Sequence, residues 1–173
     1  MDPRCLPPNT SLAKFEEYIS RAKRICGDEN VTVISRSIDL IDGDYVNPCR
    51  AHDMHHLFER DTFVASAVIY PRNVPEVQEI VRLCNEFSIP LWPYSVGRNT
   101  GYGGTAPRVS GSIGMDLGRH INKVLEVNVE GAFALVEPGV TFLDLHEYLE
   151  KHNLREHLWL DVSNLFAFCC ENF

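Results

Sequence analysis

The stretch from Pro93 to Pro107, PYSVGRNTGYGGTAP, places Gly97, Gly101, Gly103 and Gly104 within eight residues. So many residues without side chains disfavour both helix and strand interiors. An apolar segment leads in and SIGMDL leads out, which predicts a loop between two buried strands. The glycines allow positive φ and a close approach of backbone to a ligand. Ser95, Arg98, Asn99 and the free amides of the turn would then face an anionic group, and a pyrophosphate fits that chemistry best. The spacing is G-x-x-x-G-x-G. It is neither the G-x-G-x-x-G of a Rossmann turn nor a P-loop, because no Lys-Ser or Lys-Thr follows. On spacing alone, a surface loop without a ligand is an equal alternative.

At 173 residues the chain is long enough for one domain with a real core, or for part of a larger one. A net charge of −8, with acidic residues spread along the chain, argues against a nucleic-acid surface, which needs clustered Lys and Arg. Cys5, Cys26, Cys49, Cys84, Cys169 and Cys170 form no C-x-x-C pair, so neither a zinc knuckle nor a disulfide framework is indicated. Reduced thiols in an intracellular compartment are the expectation. No apolar run approaches a membrane span and the proline-rich start has no secretory signal, so no membrane association is expected.

Met1 to Thr10 reads as an irregular arm. Ser11 is a plausible N-cap for a helix whose Leu12, Phe15, Ile19, Ala22 and Ile25 recur at helical spacing until Gly27. Asn30 to Ser35 predicts a strand, and periodicity is lost from Ser37 to Asp61. That region carries His52, His55, His56 and Glu59, a spacing that invites a metal. The zincin pattern needs Glu directly after the first His, and Asp53 stands there. Surface or hydrogen-bonding histidines are therefore expected, and no metal. Thr62 to Tyr70 predicts a buried strand ended by Pro71. Asn73 caps a helix with Pro75 in its first turn. Val77, Ile80, Val81, Cys84 and Phe87 form its apolar stripe, with Glu76, Glu79, Arg82 and Glu86 opposite. Ile89 to Tyr94 is the next strand, so a strand, helix and strand deliver the glycine loop at a strand's C-terminal end. SIGMDL is a further strand, and residues 123–140 form a hairpin turning at Glu130-Gly131. Thr141 and Asp144 resemble a capping box for a last helix with Phe142, Leu145 and Leu149 inward, ending near Asn153. The fold class is α+β. Residues 1–60 form an N-terminal helix and arm, 61–162 the main unit and 163–173 a tail.

WPYSVGRNTGYGG, the MDLG turn and LVEPGVTFLDLHEYL together resemble the FAD-binding domain of the vanillyl-alcohol oxidase family, flavoprotein oxidases with a PCMH-type FAD-binding fold. The resemblance runs from about Ser11 to Val162. It implies FAD held between two α+β subdomains, of which this chain matches the first, 61–162. By resemblance, adenine and diphosphate are lined by Pro71, by Ser95, Val96, Gly97, Arg98, Asn99, Thr100, Gly101, Tyr102, Gly103 and Gly104, and by Glu137, Pro138, Gly139 and Val140. Without the family, Glu137-Pro138-Gly139 also reads as an ordinary turn before a helix.

Two catalytic positions follow from the same resemblance. Tyr102 matches a tyrosine that hydrogen-bonds the substrate phenolate, and a phenolic O–H near a basic group lowers the cost of holding that oxyanion. His55 matches a histidine beside the flavin-linking histidine, whose nucleophilicity it raises by accepting a proton. The implied reaction is hydride transfer from the carbon para to the phenolate onto flavin N5. The resulting quinone methide is resolved by water or deprotonation, and O2 reoxidises the flavin to give H2O2. The implied partners are a phenolic substrate and O2, with an oligomer compatible. The implied compartment is cytoplasmic or peroxisomal.

The resemblance stops after Val162. Relatives continue with Pro-Asp-Leu and a glycine-rich run, whereas this chain has Ser163-Asn164-Leu165 and then FAFCCENF. Asn164 stands where the phenol oxidases have an acid, and an amide cannot serve as that base. The tail suggests read-through of non-coding sequence or a truncated gene model, with the substrate cap and the rest of the flavin site missing. Two alternatives therefore stand beside the oxidase. One is a non-catalytic FAD-binding fragment, the other a relative of FAD-dependent 2-hydroxy-acid dehydrogenases.

Overall fold

A computed structural model describes residues 5–34, 64–99 and 103–158. The expected first helix is α1, Leu12–Cys26. The Ser11 hydroxyl accepts from the Lys14 amide at its start, and Gly27, at φ 93°, ends it. A 3-10 turn, Asp28–Asn30, leads into β1, Val31–Val33. Strand β2, Ala67–Ile69, is fully buried and shorter than the predicted span. Helix α2 covers Val74–Phe87, with Asn73 as its side-chain cap and Pro75 in the first turn as expected. Strand β3 is Leu91–Tyr94, and the two-residue strands β4, Arg98–Asn99, and β5, Gly103–Gly104, follow. Strand β6, Ile113–Asp116, is the predicted SIGMDL strand. The predicted hairpin is β7, Val124–Asn128, with β8, Phe133–Val136; α3 is Phe142–Lys151.

The main sheet has the order β1-β2-β6-β3, with β1 antiparallel to β2 and β6 parallel to both its neighbours. The register sets Ala67 opposite Ile113 and Ile69 opposite Met115. Alternation along the strands therefore sends these side chains to one face, where Phe15, Tyr18 and Ala22 of α1 and Ile80, Leu83 and Phe87 of α2 join them in one core. Val68, Tyr70 and Tyr94 lie on the opposite face in a smaller cluster with Ile34, Val64 and Ala65. The two helices are locked to each other. Tyr18 meets Phe87 edge-on at 5.7 Å between ring centroids. Its hydroxyl shares a 3.1 Å hydrogen bond with the Cys84 thiol, and Arg21 forms a two-pronged pair with Glu86. Burial pushes the Tyr18 hydroxyl and the Cys84 thiol upward, and pushes the Cys26 thiol up to about 12 with Glu76 adding to the effect. These groups stay protonated as core side chains. Among the described residues Cys5, Cys26 and Cys84 are free thiols.

Helix α2 departs from its predicted stripe. Val81 is exposed, Leu83 is buried, and Glu76, assigned to the solvent side, is buried. The physical reason is spacing. Glu76 lies four residues before Ile80, on the same face as Leu83, Cys84 and Phe87, and it is tolerated there because its carboxylate is satisfied. It accepts from the Arg72 amide at 2.8 Å, from Arg72 Nε at 3.0 Å and from Asn73 Nδ2 at 3.1 Å. Burial alone would raise this carboxyl, but the Arg72 and Asn73 bonds outweigh it and hold it below the usual range. A group depressed in the folded state stabilises above the ordinary carboxylate range, and that contribution is lost as pH falls through the folded value. Glu76→Gln is expected to cost about 1–2 kcal/mol at neutral pH. Urea unfolding at pH 7 and in acid measures it, and the difference from the parent should shrink toward acid.

The last helix starts as read. The Thr141 hydroxyl accepts from the Asp144 amide at 3.1 Å, and Asp144 accepts in return from the Thr141 amide at 2.8 Å, a complete capping box. Leu149 is buried there, but Phe142, expected inward, is not. Leu125, Phe133, Leu135 and Phe142 are 55%, 50%, 53% and 57% exposed, so the hairpin and the start of α3 carry an uncovered apolar surface.

Candidate functional site

Strands β2, β6 and β3 run parallel, so their C-terminal ends share one edge of the sheet. Three connections leave from it: Tyr70-Pro71 after β2, Asp116 to Arg119 after β6, and Ser95 to Gly97 after β3. The last begins the glycine segment, which is a ribbon rather than an open loop. Arg98 pairs with Gly104 and Asn99 with Gly103 in an antiparallel ladder. Gly97 stands at the foot of the ribbon with φ 69°, and a Cβ there would lie 2.2 Å from Thr105 Cγ2. Two requirements thus converge on glycine, the left-handed backbone and the contact with buried Thr105.

The turn after β6 holds the edge together. Asp116 Oδ1 accepts from the Gly118 amide at 2.8 Å and from the Arg119 amide at 3.2 Å. Burial pushes the Asp116 carboxyl up, partly offset by those two amides and by the Arg119 charge. A Cβ on Gly118 would lie 2.6 Å from Val96 Cγ1 and 2.9 Å from the Ser95 carbonyl oxygen. A Cβ on Gly139 would lie 2.6 Å from the Gly118 carbonyl oxygen and 2.8 Å from that of Ile121. The Gly139 amide donates to Ile121 O at 2.8 Å, and the Ser95 hydroxyl donates to Pro138 O. The segments expected to line one ligand, Ser95 to Gly97 and Glu137 to Val140, therefore meet across Gly118.

Several expected ligands have structural duties. The Glu137 carboxylate accepts from the Lys123 amide at 2.7 Å and closes the base of the hairpin. Pro71 is fully buried beneath the edge. Val140 N donates to Glu137 O at 3.1 Å, so Glu137-Pro138-Gly139-Val140 is a turn as well. Among the described residues, the amides of Gly118, Arg119, Gly139 and Val140 are bonded within the protein, which fixes how the connections cross at this edge. Thr100, Gly101, Tyr102, His52, His55, His56, Glu59 and Asn164 lie outside the described residues. For Arg98, Asn99, Gly103 and Gly104 the structure describes the strands alone.

The sequence reading treated MDLG as a marker and missed Asp116 and Gly118 as the residues that hold this edge together. The signal was available: Asp two residues before Gly is a common side-chain-to-backbone turn. Arg119 lies with its guanidinium carbon 4.5 Å from the centroid of the Tyr70 ring. Beside it, His120 Nε2 donates to Asn30 Oδ1 at 2.9 Å, and Asn30 Nδ2 donates to Cys26 O at 2.9 Å, tying the turn to the end of α1. A groove of about 550 Å³ lies elsewhere, between α1 and β1, lined by Phe15, Ile19, Lys23 and Val33 among others. It shares no residue with the glycine edge. Among the described residues no cluster could hold a metal ion, and no helix is long and apolar enough to cross a membrane.

A family profile described as the FAD binding domain matches residues 65–165. The chain belongs to the FAD-binding domain family. FAD is accordingly its cofactor, and the glycine edge of the sheet fits that assignment. The family match runs from two residues before β2 to three residues beyond Val162. The chain is 34% identical over 162 residues to the 4-cresol dehydrogenase [hydroxylating] flavoprotein subunit of Pseudomonas putida, covering 94% of this chain and 29% of that protein. It superposes on the 4-ethylphenol oxidase of Gulosibacter chungangensis, solved as an isoeugenol complex, with a TM-score of 0.71 and 36% identity, covering 87% of this chain and 27% of that one. It is 29% identical over 126 residues to a mitochondrial D-lactate dehydrogenase [cytochrome] of Kluyveromyces lactis, covering 73% of this chain and 20% of that protein. The chain thus spans less than a third of the length of these relatives. The α+β class agrees with the solved fold.

Proposed function

We propose that this chain supplies the diphosphate-binding part of an FAD site in an oxidoreductase of para-substituted phenols, of the vanillyl-alcohol type. The observation that carries the reading is the convergence of the Gly97 ribbon, Gly118 and Gly139 on one sheet edge, where the missing side chains let the three connections pack directly against one another at the ends of the parallel strands. The phenol class is favoured by the extent of the match, 34% identity over 162 residues to the cresol enzyme, whereas a glycolate oxidase subunit and another lactate enzyme reach 39% and 33% only over 88 and 97 residues. When bound, FAD supplies the acceptor for the two electrons leaving the substrate and passes them to O2. This chain's own contribution is to hold the diphosphate by main chain, to steady the substrate phenolate through Tyr102, and through His55 to accept a proton near the flavin attachment point.

The chain alone is proposed to be inactive and to bind flavin weakly. Asn164 in place of an acid removes a base, and Leu125, Phe133 and Leu135 of the hairpin and Phe142 at the start of α3 are apolar side chains left exposed. Titration of the purified chain with FAD, read by flavin fluorescence and by melting temperature, tests this. Weak saturable binding with a small rise in melting temperature is expected. A tight, stoichiometric yellow complex would contradict the proposed weak binding, and no binding at all would defeat the flavin assignment for this polypeptide. The 2-hydroxy-acid reading rests on the lactate relative. It gains if D-lactate, and not a para-alkylphenol, perturbs the spectrum of the flavin-loaded chain.

A further inference from the structure

The proposed site so far consists of backbone, yet FAD carries two negative charges on its diphosphate and this chain carries a net charge of −8. Arg98 in β4 is one cationic residue of the glycine edge, and the turn after β6 brings a second. Arg119 is exposed, is held at its amide by Asp116, and directs its guanidinium over the buried ring of Tyr70 at the end of β2. The residue before it, Gly118, touches the foot of the ribbon at Ser95 and Val96. Since β6 lies between β2 and β3, Arg119 is displaced from the ribbon toward β2 by about one to two strand spacings of ~5 Å. An adenosine diphosphate with its phosphates at the ribbon is long enough to reach across that span.

Resting on the flavin reading, we infer that Arg119 binds the adenosine-diphosphate half of FAD. One face of the guanidinium lies against Tyr70, and the outer face and N–H groups meet the nucleotide. Planar guanidinium suits this double task, because it stacks on a π-face and donates to phosphate at once. Of the other groups at the turn, Asp116 and Glu137 are acidic and offer a phosphate no attraction. Asp116 is occupied by two amides and Glu137 by the Lys123 amide, while His120 is engaged with Asn30.

The test compares the unsubstituted 173-residue chain with Arg119→Ala and Arg119→Lys, measuring affinity for FAD and displacement of FAD by adenosine diphosphate. Arg119→Ala is expected to weaken both ligands about tenfold, equivalent to ~1.4 kcal/mol. Arg119→Lys should recover part of the loss, since charge returns without the plane, and the unliganded melting temperature should stay with the parent's. Equal affinities in the parent and Arg119→Ala would overturn the Arg119 assignment and leave the flavin reading intact. A lowered unliganded melting temperature with no rescue by lysine would assign Arg119 to folding instead. Absence of FAD binding by the parent would overturn the flavin reading, and this inference with it.

Discussion

Gly139→Ala should both destabilise the fold and abolish flavin binding. The added methyl would be placed 2.6 Å from the Gly118 carbonyl oxygen, 2.8 Å from Gly118 Cα and 2.8 Å from the Ile121 carbonyl oxygen. All three neighbours are backbone atoms, so no rotamer change can make room, and the Gly139 amide is itself bonded to Ile121 O. Relief requires the Pro138-Gly139 turn to lift off the turn after β6, which withdraws the acceptor of the Ser95 hydroxyl and shifts the root of the ribbon. Overpacking of this kind costs about 1–3 kcal/mol. The two consequences separate by measurement. Chemical denaturation reports the stability loss, and FAD titration at a temperature where the variant remains folded reports the site. An alanine variant that binds FAD as the parent does would show that the Gly118–Gly139 crossing is unrelated to the ligand.

Ile80→Ala is expected to cost more, about 2–5 kcal/mol. Ile80 has no exposed surface and stands at the centre of the α2 stripe, in the cluster that joins both long helices to Ile69, Ile113 and Met115. Truncation leaves a void enclosed by elements that cannot collapse independently, because the sheet register fixes one side and the Tyr18 contacts with Cys84 and Phe87 fix the other. Urea unfolding gives the difference directly. A loss below about 1 kcal/mol would mean that this core relaxes freely and that the packing described around it is loose.

The helices were legible because their signals are local. Ser11, Asn73 and Thr141 each cap the helix that their spacing predicts, and each makes its bond within three residues. Glu76 was misread for a reason equally physical. A charge on an apolar face is ordinarily assigned to solvent, and only the fold-back of Arg72 and Asn73 makes its burial affordable. Phe142 was read inward from its spacing to Leu145 and Leu149, but the first turn of α3 extends past the part of the helix that buries Leu149. The order of strands was not legible at all. β2 and β3 are consecutive in the main sheet's sequence, and nothing in either announces that β6 will part them. Arg119 escaped notice for the same reason, since its relation to Tyr70 spans 49 residues and exists only when β2 and β6 are paired.

That insertion of β6 has a kinetic meaning. A chain elongated only as far as Tyr94 holds β2 and β3 with no strand to join them, and the sheet stays open until Ile113–Asp116 enters between them. The connection that must close for this to happen is residues 95–112, which contains the glycine ribbon. Parallel pairing across such a loop is slow compared with helix formation, because the closure entropy is lost before the strand contacts form. Entry of β6 therefore both completes the main sheet and builds the ligand edge. Partly folded chains would display α1 and α2 with neither the central strand nor a cradle, and the rate at which FAD binding competence appears during refolding reports the insertion of β6 itself.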